Sequence, residues 1–525
     1  MTALRQEAAF VQEGDPILSN VAPAAPALGR IRRDALIYGF GTVMRHAATL
    51  IMLPIYTRLL TPRDYGLLQM LDMTLDVASI LMSAGMTAGV MRFYFKATTQ
   101  QQSREVVVSA AFLVLSLNLV GAILIAAGAG PIHAHVLGGA GARYLIYIAA
   151  ANFVLGQTLT VPMLLMQIQG RATLFSATSL VRLVCQLSLN ILLLVVLRLG
   201  PLGILVSSLI TNVLVGGAAL IWMLRKVGIR PSRAAFHDLR RFGVPIQIAT
   251  AATFVLQFGD RFFLGASRGL TAVGLYAFAY QFGFLLDQLG TAAFMRAWQP
   301  RRFANAHLPR DVRERADNTA FHALTLVVVS FGLGMALFVR PALRLVASPE
   351  YFDSAKLVPI IVAAFVFQAW GGVVEFGIEA AEKTRYITFV VWTSAALILL
   401  LYAVLIPPFG AYGAGAATMI SFAVRTVLLG YFSNRVWPQR YDWSPPLRIF
   451  AIAVVVCALA WLFPADGLVA EIRLLSALYA LYLLAVWRLA LSRDVRGLVT
   501  TMVRARASRL AFLTRRLATP PGVSR

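Results

Sequence analysis

Tyr56-Thr57-Arg58-Leu59-Leu60-Thr61-Pro62-Arg63-Asp64-Tyr65-Gly66 is a short polar turn between two long apolar stretches. Apolar residues run from Leu36 to Leu60 before it and from Tyr65 to Val90 after it. Each run is long enough to cross a bilayer core of about 30 Å at ~1.5 Å per residue. The pattern returns later in the chain. Segment Val244–Leu264 carries Asp260-Arg261, then comes Gly274-Leu275-Tyr276, and the next apolar stretch closes on Gly290-Thr-Ala-Ala-Phe-Met295-Arg296. The first copy closes on Gly85-Met-Thr-Ala-Gly-Val-Met91-Arg92. Two related halves are expected, and function is to be read from how they face each other.

Composition agrees. Hydrophobic residues make up 59% of the 525, charged residues only 13%, and apolar runs of membrane length recur throughout, which excludes a soluble globular chain. A net charge of +24 would suggest nucleic acid in a soluble protein. Here the arginines flank membrane segments, where they set topology, so no nucleic-acid partner is expected. Cys185 and Cys457 both lie inside apolar segments and imply neither a disulfide framework nor a metal cluster.

The expected fold is all-α and polytopic, with about 14 spans near 36–60, 65–90, 107–128, 144–166, 174–197, 201–224, 243–265, 271–295, 319–339, 357–380, 386–406, 411–432, 447–464 and 472–491. Loop arginines collect on one side, at Arg92 and Arg104, through 225–242, at Arg301 to Arg315, at Arg435 and Arg440, and in the tail. The other side has only scattered cations such as Arg63, Arg143 and Arg198. By the positive-inside rule both termini are cytoplasmic. A cytoplasmic tail, 1–35, precedes a six-span lobe, 36–224; a basic linker, 225–242, leads to a second lobe, 243–433. Two extra spans, 446–491, and a basic tail, 492–525, follow. Six spans per repeat is an even number, so the lobes should be related by a pseudo-two-fold axis along the membrane normal. The loops leave no room for an extramembrane catalytic domain.

Polar groups at bilayer depth are costly, so their placement carries the chemistry. Gln69, Asp72, Asp76, Ser79 and Ser83 step by three or four along one helix face, as do Ser179, Arg182, Gln186 and Asn190. Thr418, Ser421 and Arg425 form a third stripe, and Gln368, Glu375, Glu379 and Glu382 a fourth. The first span carries Arg45-His46, and the eighth carries Gln281, Asp287 and Gln288. Arg92, Arg296 and Glu382 sit at span ends, where snorkelling explains them. Asp260-Arg261 reads either as a local pair or as a functional one. Arg45, Arg182 and Arg425 lie deeper, in or beside polar stripes, and Asp72 and Asp76 read as cavity groups that titrate, bind a cation or pair with an arginine. No metal-ligand spacing, phosphate loop or nucleophile elbow is present, so an enzyme, a metal site and a cofactor are not expected.

Pro54 to Gly66, with Asp260-Arg261-Phe-Phe-Leu-Gly265 and Val273-Gly-Leu-Tyr-Ala277 in the second half, resembles the polysaccharide and O-antigen flippases of the multidrug/oligosaccharidyl-lipid/polysaccharide exporter superfamily. The resemblance covers roughly 36–433 and rests on the order and spacing of short motifs. It implies two six-helix bundles forming a V around a cavity in a bacterial inner membrane. It implies movement of an undecaprenyl-pyrophosphate-linked oligosaccharide from the cytoplasmic to the periplasmic leaflet by alternating access, coupled to a proton or sodium gradient. Its partners would be that substrate, membrane lipids and other glycan-assembly membrane proteins. Arg45 stands where lipid II flippases have a cavity arginine, but His46 follows where those have an acid, a departure from a lipid II assignment. Pyrophosphate needs compensating charge inside a membrane, and the planar fork of arginine suits it. Arg45, His46, Arg182 and Arg425 are therefore the expected substrate contacts, with Asp72, Asp76, Asp287 and Glu375 as candidates for ion coupling or cavity lining. The alternatives are an ion-coupled multidrug or metabolite antiporter of the same fold and a membrane-embedded glycan polymerase or ligase.

Overall fold

The computed structural model describes residues 52, 54–83, 85–463, 465–491, 495–497 and 500. Arg45, His46, most of the first expected span, the tail 1–35 and nearly all of 492–525 lie outside the described residues. Every regular element among the described residues is helical.

The quoted turn shows why its residues are there. Pro62 opens helix α1 (Pro62–Met82), where its fixed φ and missing N–H carry no cost. Thr61 caps that helix: its side chain accepts from the Asp64 amide at 3.2 Å, while Asp64 accepts from the Thr61 amide at 3.2 Å and from its hydroxyl at 2.8 Å. This reciprocal box fixes the helix start three residues before the expected Tyr65. At Gly85, with φ of 84°, the span bends and continues as α2 (Met86–Lys96). The span therefore ends at Lys96 rather than Val90.

The first half continues with α3 (Gln100–Ala127), α4 (Tyr144–Gly156), α5 (Thr160–Ile168), α6 (Ala172–Asn190), α7 (Pro201–Thr211) and α8 (Gly217–Val227). The second half holds α9 (Arg233–Phe258), α10 (Asp260–Leu286), α11 (Ala292–Ala304), α12 (Arg310–Val346), α13 (Val358–Val374) and α14 (Arg385–Val436). Two further spans, α15 (Ser444–Leu462) and α16 (Leu468–Ala485), close the described chain. Among the described residues eleven apolar helical stretches are long enough to cross a membrane. Two of them, at 75 and 52 residues, are far too long for one crossing at ~1.5 Å per residue. Each reverses at a glycine with positive φ, Gly269 (77°) and Gly410 (56°), so each makes two spans. That makes thirteen spans among the described residues; most of the first of the fourteen expected spans lies outside them.

The halves meet where the repeated motif predicts. α1 crosses α10 so closely that a Cβ on Gly66 would fall 1.9 Å from the Leu270 carbonyl oxygen, and one on Gly274 would fall 1.8 Å from that of Pro62. The contact is reciprocal, each glycine on the other repeat's helix start, as a two-fold relation requires. Such approach permits Cα–H···O contacts between backbones. The same end is sealed by Tyr65, Phe278 and Tyr351, whose rings lie 5.2–6.5 Å apart. Tyr351 donates to the Leu60 carbonyl at 3.2 Å, and Arg58 donates to the Val346 and Leu345 carbonyls at 3.0 and 3.2 Å, capping the end of α12. At the other end α2 meets α9, where a Cβ on Gly85 would lie 2.4 Å from the Gly243 carbonyl oxygen.

α15 and α16 dock on α12. Tyr482 and Ser330 share a 3.1 Å hydrogen bond, Tyr479 donates to the Ser330 carbonyl at 3.2 Å, and Glu471 pairs with Arg344 and, at 3.7 Å, with Arg340.

Candidate functional site

On α1 the apolar face of Leu67, Leu68, Met70, Leu71 and Met73 is buried, leaving the polar stripe on the accessible side. Asp72 and Asp76 are both exposed there, one turn apart. Asp72 is within electrostatic reach of Asp76, Tyr56 and Tyr65, so an accessible carboxylate is ringed by protein, as on a cavity wall. Neither aspartate has an ion-pair partner among the described residues. At the bend Ser83 accepts from the buried Asn118 of α3 at 2.8 Å, so that end of the stripe holds helices together.

The second stripe is also partly committed. Gln186 donates to Ser207 at 2.9 Å and to Asn190 at 3.2 Å; Asn190 accepts from Ser207 and donates to the Tyr56 hydroxyl at 2.8 Å. This network ties α6 to α7 and to the end of the first span. Arg182 lies two turns along the same face and is exposed.

In the second half the structure brings two expected residues together. Arg425 of α14 lies 3.7 Å from Glu375, just beyond α13, with 23% and 19% of the two side chains exposed. The Arg425 Nε is buried without a hydrogen-bond partner among the described residues. Asp287, in the wider turn after α10, is half-buried and faces Arg296. Arg182 and Arg425 stand in different halves. Among the described residues no group of three or more His, Cys, Asp or Glu could hold a metal.

Asp260-Arg261 is a structural pair. The two are 0% and 1% exposed and 2.9 Å apart; Tyr276 donates to Asp260 at 2.6 Å, and the guanidinium stacks 4.5 Å above the Tyr280 ring. Asp260 and Tyr276 flank the reversal at Gly269, so their bond struts it. Arg302 corrects the loop reading: it is 1% exposed rather than a loop cation. It sits 3.2 Å from Asp317, donates to the Val373 carbonyl at 2.7 Å and to Tyr441 at 2.5 Å, and packs 4.0 Å over the Phe376 ring. No local pattern pointed to this cluster, because its partners come from segments far apart in sequence.

Two related sets of apolar spans that carry polar stripes define a multi-pass membrane protein. A family model described as polysaccharide biosynthesis protein matches residues 31–305, just over half of the chain, and the chain belongs to that family. Two curated relatives match more distantly. A protein described as a probable low-salt glycan biosynthesis flippase, from Haloferax volcanii, is 20% identical over 247 residues, 46% of this chain and 52% of the relative. An uncharacterized membrane protein of Methanocaldococcus jannaschii is 18% identical over 295 residues, 52% of this chain and 55% of the relative. The chain spans about half the length of the curated relatives it matches. Among solved structures, a lipid II flippase in an inward closed conformation superposes with a TM-score of 0.69 at 11% identity, over 86% of this chain and 99% of that one. An inward-facing multidrug resistance MATE family transporter of the MOP superfamily gives 0.56 at 14% identity, over 74% and 93%. At these identities the likeness is one of fold. Family and fold together place the chain among multi-pass membrane proteins of polysaccharide biosynthesis.

Proposed function

We propose that this protein is a flippase that carries an undecaprenyl-pyrophosphate-linked oligosaccharide across a bacterial inner membrane, for surface polysaccharide synthesis. Both termini face the cytoplasm, so the sealed end around Gly66 and Gly274 faces the periplasm. The lipid tail stays in the bilayer while the head group enters between the lobes. Entry follows when the α2–α9 contact at the cytoplasmic end parts, and release when that contact has re-formed and the sealed end parts. A proton or sodium gradient drives the cycle through Asp72, Asp76, Asp287 and Glu375.

The observation that carries this reading is Arg425. A guanidinium at membrane depth, loosely paired to Glu375 and with an unmet Nε–H, retains donors for a second anion. Pyrophosphate supplies fixed negative charge and several acceptor oxygens. Arg182 faces the substrate from the other lobe, and Arg45 and His46 complete the cationic set. The family match and the glycan-flippase relative support the substrate class.

The test is a deletion strain with downstream genes intact. Its lipids are extracted for mass spectrometry, and a periplasmic glycan-cleaving probe reports the leaflet. A lipid-linked glycan trapped on the cytoplasmic side, and released when the gene is restored, is the expected result. Normal surface glycan with no trapped intermediate, in a strain without a redundant flippase, would overturn the proposal. One observation favours the antiporter as the second reading: Asp72 and Asp76 are accessible acids without an ion-pair partner among the described residues, as a cation exporter requires.

A further inference from the structure

Arg92 stands near the end of α2 and is exposed, where the sequence alone reads it as a snorkelling anchor. A snorkelling arginine runs out to the headgroups and water. Arg92 instead lies across the junction of the two halves. Its guanidinium stacks 4.7 Å over the ring of Phe242 on α9 and stands 6.0 Å from the ring of Phe93, which meets Phe242 edge-on at 5.9 Å. The backbone brings this about. The bend at Gly85 turns α2 onto α9, and Gln247 of α9 donates to the Leu81 carbonyl just before the bend. Gly89 then lets the two helices close, since a Cβ there would fall 3.0 Å from Leu239 and 3.5 Å from Phe242.

Stacking holds a guanidinium by its face and leaves its N–H edge open. No ion pair or hydrogen bond engages Arg92 among the described residues. Other cations at the cytoplasmic end are already committed: Arg302 to Asp317, Arg310 to Glu314 and Lys226 to Gln169. Arg92 thus combines a held position with a full set of unused donors.

We propose that Arg92 is the entry contact for the diphosphate of the lipid-linked glycan. The inference rests on the flippase reading and adds a residue to it. The α2–α9 contact is the one that parts for entry, so a head group arriving from the cytoplasmic leaflet meets Arg92 before the deeper Arg182 and Arg425. The planar fork takes diphosphate oxygens side by side, in charge-assisted bonds, while the polyprenyl chain stays in the bilayer.

The test titrates the purified full chain, in phosphatidylcholine nanodiscs, with geranyl pyrophosphate, a short polyprenyl diphosphate, and reads binding by calorimetry. Arg92→Ala should weaken binding at least about tenfold, the worth of one charge-assisted contact. Arg92→Lys should recover only part of the loss, because it lacks the fork. Lys96→Ala removes the same charge one turn further along α2, and should change the affinity by less than about twofold, since exposed charges are screened. Phe242→Leu removes the stack but leaves the donors, and should keep most of the affinity that Arg92→Ala loses. Parent-like affinity in Arg92→Ala would overturn the inference, as would no binding by the parent. Equal losses in Arg92→Ala and Lys96→Ala would reduce Arg92 to bulk surface charge, and equal losses in Arg92→Ala and Phe242→Leu would reduce it to packing; either overturns the inference. The flippase reading would survive all of these outcomes, because the trapped glycan of the deletion strain decides it.

Discussion

Charged residues inside this membrane protein fall into two physical classes, and burial separates them. Asp260–Arg261 and Arg302–Asp317 are fully enclosed at 2.9 and 3.2 Å, so each partner is there because the other is. Removing one leaves an uncompensated buried charge. Asp260→Asn should therefore cost about 3–5 kcal/mol, read as a drop in unfolding temperature of the purified protein, with Tyr276→Phe costing less, about 1.5–3 kcal/mol. Arg425–Glu375 is different: at 3.7 Å and roughly one-fifth exposed, it is held loosely enough to exchange partners. Arg425→Ala should leave membrane levels of the protein unchanged and lower glycan export at least about tenfold, the worth of one charge-assisted contact. Arg425→Lys should recover only part of that rate, because an ammonium lacks the guanidinium fork. Export at full rate in Arg425→Ala would remove Arg425 from the substrate path.

At the level of elements, the sealed end rests on backbone contact between α1 and α10. Gly66 and Gly274 have no room for even a methyl group, since the obstructing atoms are carbonyl oxygens that cannot rotate away. Gly66→Ala or Gly274→Ala should hold this end apart without unfolding the helices, since alanine favours helix over glycine by roughly 0.5–1 kcal/mol. Spin labels at Leu59 and Leu345, both exposed and flanking the Arg58 contact, should show one short distance in the parent protein. A longer population should appear in either glycine variant. Gly217→Ala is the control: a Cβ there meets nothing within 4 Å, so the distance should not change.

For the whole molecule, the last two spans should move as part of the second lobe. Among the described residues they are fastened to α12 by the Tyr482, Tyr479 and Glu471 contacts. Labels at Val327 and Leu481 should keep a single distance under every condition that changes the distance between Leu59 and Leu345. Glu471→Gln should cost only ~0–1 kcal/mol, because both arginines are more than a third exposed and screened. The helical class, the recurrence of membrane-length spans and the repeat were legible in the chain itself, whereas the helix start at Thr61-Pro62 came three residues before the expected Tyr65. Each follows from local quantities: apolar length, the charge of adjacent loops, and residues three apart. The polar stripes were legible too, since helical spacing puts Asp72 and Asp76 or Gln186 and Asn190 on one face. Which stripe residues are consumed in holding helices together was not. Asn190 meets Tyr56, Arg302 meets Asp317 and Tyr441, and Gln439 is left with an empty acceptor only because distant segments are packed side by side. Periodicity fixes the direction of a side chain from its own helix; what stands in that direction is set by how the helices cross.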